Sequence, residues 1–140
     1  MKQFPISRRK LIIGATALAF ALPFSGNAFA DTKYQDYTEA KFKELKAAGK
    51  PVMLDFYAEW CGTCRAQDRT VGVLQQENPK LLNVTILRVD WDQEAGGPLV
   101  KALKIPRRST LVVFKGEKEV ARLVAVTSKD AIKEMMEKAL

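Results

Sequence analysis

The 140-residue chain contains no histidine and only two cysteines. Without an imidazole there is no Ser-His-Asp or Cys-His catalysis, no HExxH zinc protease and no His-ligated haem or copper centre. Two thiolates alone cannot close a four-ligand zinc or iron–sulfur site, so neither a metal nor a cofactor is expected. What is present is a close pair, Cys61 and Cys64, and that spacing points to thiol–disulfide chemistry. Acidic charge is also in short supply, with 16 Asp and Glu against 23 Lys and Arg and a formal net charge of +7. The excess is uneven: residues 1–30 carry Lys2, Arg8, Arg9 and Lys10 and no acid. The remainder is too near neutrality to leave an electrostatic footprint for nucleic acid.

Residues 1–30 run from a basic head through an apolar stretch, Leu11 to Phe24, to Ala28-Phe29-Ala30, the pattern of a secretory signal. The apolar stretch is short of the roughly 20 residues that span a bilayer, so no stable membrane insertion is expected after cleavage, placed after Ala30. Ser7-Arg8-Arg9-Lys10-Leu11-Ile12 resembles the twin-arginine export motif, with Leu11 where that motif most often has Phe; the general secretory route is the alternative. Either route predicts a periplasmic or secreted protein, in a compartment where disulfides persist.

Residues 31–140 have a single-domain length and no internal repeat or linker. Helical spacing from Thr38 (Ala40, Phe42 or Leu45, Ala47) stops at Gly49 and Pro51. The apolar run Pro51-Val-Met-Leu-Asp-Phe-Tyr-Ala58 suits a strand buried on both faces. A helix is predicted from Cys61 to about Glu77, a strand over Leu82–Asp90 and a helix opening at Pro98. Strands over 109–115 and 119–125, joined across Gly116-Glu117-Lys118, form an antiparallel hairpin. Thr127 or Ser128 then caps a final amphipathic helix, with Asp130 in its first turn. Alternation first and a hairpin last predict an α/β fold, a central mixed sheet flanked by helices.

A CxxC pair placed where a strand ends and a helix begins puts Cys61 at the helix N-terminus. There the unpaired backbone N–H groups and the dipole favour a thiolate over the free thiol, whose pKa is about 8.5. Cys64, one turn further in, is the resolving thiol. Gly62 lets another backbone approach, and Trp60 is expected to cover the disulfide on the substrate side.

The segment Asp-Phe-Tyr-Ala-Glu-Trp-Cys-Gly-Thr-Cys (55–64) resembles the thioredoxin active site, and the likeness extends over residues 31–140, implying a thioredoxin-like fold. The approach segment 50–61 is also similar to the C-terminal thioredoxin-like domain of the membrane thiol transporter that carries electrons into the periplasm. The resemblance assigns Asp55 to proton transfer at the second cysteine. Its apolar strand agrees, because burial raises a carboxyl pKa; a fixed hydrogen bond in the core is the other reading. Arg88 stands where the family often has a lysine near this aspartate, and either reaches Asp55 and opposes that rise or faces solvent.

Two positions depart from the family. Thr63 replaces the proline between the cysteines. Ser109 occupies the position of the cis-proline that faces the CxxC, with Pro106 three residues too early to substitute. A non-proline cis bond costs about 3–4 kcal/mol, so a trans bond and an altered substrate-facing backbone are expected. Arg107 and Arg108 beside it either favour acidic partners or are exposed loop charges with no partner. The sequence thus predicts an exported thiol–disulfide oxidoreductase: Cys61, Cys64 and Asp55 carry the chemistry, while Trp60, Gly62, Thr63, Arg108 and Ser109 contact substrate. Its substrates would be disulfide-containing exported proteins and its electron donor a membrane thiol carrier. An oxidant, a binding module with a structural disulfide and a soft-metal carrier are the alternatives. The first is disfavoured because oxidising relatives often carry a histidine between the cysteines.

Overall fold

The computed structural model describes residues 34–140, so the export signal expected over residues 1–30, its expected cleavage after Ala30 and the expected domain boundary at residue 31 lie outside the described residues. Five strands, β1 (Gln35–Asp36), β2 (Pro51–Tyr57), β3 (Thr85–Asp90), β4 (Thr110–Lys115) and β5 (Lys118–Val124), form one sheet in the order β1-β3-β2-β4-β5. The pairs β1–β3 and β2–β3 are parallel, whereas β2–β4 and β4–β5 are antiparallel. This is the mixed sheet that the alternation of elements predicts.

Strand β2 is central and divides the core by side-chain alternation. Val52, Leu54 and Phe56 point to one face, where they meet Phe42 of α1 (Glu39–Ala47), Val100 of α4 (Pro98–Ala102) and Phe114. Met53 points to the other and packs with Val71 and Leu74 of α2 (Gly62–Glu77) and Ile132, Met135 and Met136 of α5 (Lys129–Glu137). The same alternation sends Asp55 toward the α2 side. The register pairs Asp55 with Arg88 of β3 and Phe56 with Thr110 of β4, which brings the end of β2, the start of α2 and the loop before β4 together.

Several expectations need correction. The strand predicted from Leu82 begins at Thr85, because Pro79 opens a 3-10 turn over Pro79–Asn83 and Asn78 caps it through its side chain, leaving Leu82 exposed. In α1, Phe42 is buried but Ala40 and Ala47 are not. The short helix α3 (Trp91–Glu94), capped by the Asp90 carboxylate on the Asp92 N–H, was not anticipated, nor was β1. Ser128 occupies the N-cap of α5, yet its hydroxyl makes no capping bond. The hairpin turns through Gly116 and Glu117, with Lys118 already in β5 and Gly116 at φ 57°, a conformation natural to glycine.

Candidate active site

Cys61 is the N-cap of α2 and is disulfide-bonded to Cys64 in its first turn. The Cys64 N–H points at the Cys61 sulfur at 3.2 Å, so one of the helix's unpaired donors is already aimed at the reacting atom. Cys61 keeps 3% exposure and Cys64 none; an incoming sulfur can therefore reach only Cys61. A Cβ built on Gly62 meets nothing closer than the Arg65 guanidinium at 4.0 Å, so its backbone is open to an approaching chain. Thr63 is half-buried in the same turn.

Ser109 faces the disulfide from the loop before β4. Its hydroxyl lies 3.0 Å from the Cys61 sulfur and 3.1 Å from that of Cys64. No peptide bond among the described residues is cis, and Ser109 itself adopts φ 60°. That left-handed conformation costs a non-glycine residue about 1–2 kcal/mol. Three hydrogen bonds hold it: the Ser109 N–H donates to the Phe56 carbonyl at 2.8 Å, and its own carbonyl accepts from the Ala125 N–H at 2.8 Å and the Gln67 amide at 3.1 Å. Gln67 also donates to the Val126 carbonyl at 2.9 Å and is almost fully buried. Sequence reasoning missed Gln67, although its place three residues after Cys64 and four before Val71 puts it on the buried stripe of α2.

Trp60 is 57% exposed. Its indole N–H donates to the Asp92 carboxylate at 3.1 Å, and the Arg108 guanidinium lies over its ring at 4.2 Å. Trp60 and Arg108 thus form one stacked unit next to Cys61 in the chain, with the indole accessible. The tryptophan packed against the cluster of Tyr57, Ala58, Cys61 and Cys64 is Trp91 of α3, a residue that sequence reasoning did not single out. Arg107 and Pro106 are exposed.

Behind the site, Asp55 is 3% exposed and is not surrounded by apolar groups alone, as its strand suggested. Arg88 reaches it, bonding Asp55 Oδ2 through Nη2 at 3.1 Å and Nε at 3.3 Å, and reaches Asp68 of α2 at 3.1 Å. The guanidinium is sandwiched between the rings of Tyr34 and Tyr57, at 3.7 and 3.9 Å. Burial works to lower its pKa, but the charges of Asp55 and Asp68 and the hydrogen bond to Asp55 oppose this, and the net direction is upward. The solvent-facing alternative for Arg88 is therefore wrong, because β3's register places it directly beside Asp55. Among the described residues no three acidic or cysteine side chains gather where they would hold a metal ion.

The phenol of Tyr34 is pushed far up, first by burial and then by its hydrogen bond to Asp68 and the charges of Asp55 and Asp68. Above pH about 10 the unfolded chain sheds this proton while the folded chain keeps it, so stability is expected to fall by up to about 1.4 kcal/mol per pH unit. Urea midpoints at pH about 9 and about 11 check this. Tyr34→Phe should flatten the decline, and an equally steep decline in that variant would exclude Tyr34 as its source.

Residues 33–138 match the family model described as Thioredoxin. The chain is 34% identical over 104 residues to the thioredoxin of Chlamydia trachomatis, covering 74% of this chain and 96% of that one. It is 30% identical over 95 residues to the thioredoxin of Alicyclobacillus acidocaldarius, covering 68% and 87%. Among solved structures, Trxlp of Edwardsiella tarda aligns with a TM-score of 0.66 at 27% identity over 74% of this chain and 97% of that one. The thioredoxin of Malassezia sympodialis, at 21% identity, shares the fold with a TM-score of 0.63 over 76% and 92%.

Proposed function

The chain belongs to the thioredoxin family of disulfide oxidoreductases, and from that premise we propose that it works outside the cytoplasm, reducing or rearranging disulfides of exported proteins. The observation that carries the chemistry is the graded access of the two sulfurs, Cys61 at the helix N-cap and Cys64 sealed beneath it. The Cys61 thiolate attacks a substrate disulfide, forms a mixed disulfide and releases one substrate thiol. Cys64 then attacks Cys61, closes the Cys61–Cys64 bond and releases the second thiol. Two electrons pass from the dithiol to the substrate. A membrane thiol carrier returns them.

The export reading rests on residues 1–30, whose basic head, apolar stretch and small-residue end form an address rather than a working part. The reducing direction is favoured by the lack of a histidine between the cysteines. Trp60 and Arg108 supply the rim on which an extended substrate settles. One preparation tests all of this: protein recovered from the expressing bacterium's extracytoplasmic fraction, sequenced at its amino end and equilibrated against glutathione. The expected result is a chain beginning at Asp31 with a potential near −270 mV, whereas a value near −120 mV would reassign it as an oxidant.

A further inference from the structure

We infer that the Ser109 hydroxyl is a catalytic hydrogen-bond donor that serves both sulfurs in turn, stabilising the thiolate first on Cys61 and then on Cys64. A serine hydroxyl has one hydrogen to donate and two lone pairs to accept with, and here it stands 3.0 and 3.1 Å from the two sulfurs. It is fully buried, so water does not compete for that hydrogen. Against the disulfide the hydrogen meets two neutral sulfurs, which are weak acceptors. In the dithiol it meets the Cys61 thiolate, and hydrogen bonds to a charged acceptor are roughly twice as strong. The Ser109 oxygen can meanwhile accept from the Cys64 S–H, which keeps that thiol protonated until it is needed.

Once Cys61 is tied up in the mixed disulfide, its sulfur is neutral. The same hydrogen then turns to the charge that develops on Cys64, 3.1 Å away, as its proton is given up, in the net reaction, to the departing substrate sulfur, which leaves as a thiol. Ser109 gains and loses no proton over the cycle. The dithiol ends as a disulfide, and the substrate disulfide ends as two thiols. The three hydrogen bonds that hold Ser109 at φ 60° show that the loop is built to keep this side chain in place. Because the reduced form gains more than the oxidised form, the hydroxyl makes the pair more oxidising than it would otherwise be.

This inference rests on Cys61 and Cys64 acting as the proposed redox pair, and the test separates the two. Ser109→Ala removes the hydroxyl, and Ser109→Gly removes it while relieving the left-handed conformation. Thiolate absorbance titrated against pH is expected to show the Cys61 midpoint about one unit higher in both variants. Glutathione equilibrium, measured above that midpoint, should shift about tenfold toward disulfide, equivalent to about 30 mV more reducing. Unchanged midpoints and potentials in both variants, with wild type still exchanging disulfides, would overturn the role of Ser109 and leave the redox pair standing. A shift in Ser109→Ala that Ser109→Gly does not share would assign the effect to backbone strain and overturn it equally. A wild-type chain that never equilibrates with glutathione would remove the redox pair and this inference together.

Discussion

Replacing Cys61 by serine is expected to reduce the rate at which a disulfide-bonded test protein is reduced by dithiothreitol to the rate of the reagent alone, a loss of at least about a thousandfold. A hydroxyl in that position is neither a thiolate nor able to form a sulfur–sulfur bond, so no half of the cycle survives. Cys64→Ser should behave differently. It keeps the attacking sulfur at the N-cap of α2 and loses only the resolving one, so it should accumulate a covalent complex with substrate that a mass measurement detects. The contrast follows from exposure, since Cys64 is sealed and cannot start the reaction. Cys61→Ser activity within tenfold of wild type would end the enzymatic reading.

The second large effect is on stability. Arg88→Ala is expected to cost about 3 kcal/mol, because removing one partner of a buried pair strands the other charge. The Asp55 side chain is only 4% exposed and that of Arg88 22%, so water replaces little of what is lost. Tyr34 and Tyr57 also lose the flat cation between their rings. Arg88→Lys should lose less, keeping the charge but not the planar fork. The deficit of Arg88→Ala relative to wild type should shrink in acid, since a protonated Asp55 carboxyl needs no counter-charge. Urea unfolding of the three proteins across pH measures this; a cost under about 1 kcal/mol at neutral pH would show that the network adds little.

The parts that sequence reasoning reached are those written in contiguous residues. The run from Val52 to Phe56 is apolar enough to announce a strand buried on both faces, and the step from Trp60 into Cys61 announces the helix start. The parts it missed depend on chain segments far apart. Strand β1 is two polar residues held by parallel pairing with Leu87 and Arg88, which leaves no periodicity to read. Leu82 is apolar and extended in pattern, but Pro79 and Asn78 decide its conformation. Alignment finds the position of Ser109, yet not its left-handed backbone, which is imposed by Phe56, Gln67 and Ala125. The fate of Arg88 turned on register, since a slip of one residue would have sent it to the opposite face.

The antiparallel pairing of β2 with β4, with Phe56 opposite Thr110, also governs when the site comes into being. Cys61 and Cys64 leave the ribosome well before the segment that carries Ser109, and the Ala125 N–H and the Val126 carbonyl that complete its surroundings come later still. A chain that has only reached α2 holds both sulfurs with no wall opposite them. Parallel pairing of β2 with β3 and closure by the β4–β5 hairpin are non-local steps, which are the slow ones in folding. The two sulfurs therefore acquire their specialised reactivity only at the end of folding, and a nascent or unfolded chain carries ordinary cysteines that its surroundings treat like any others.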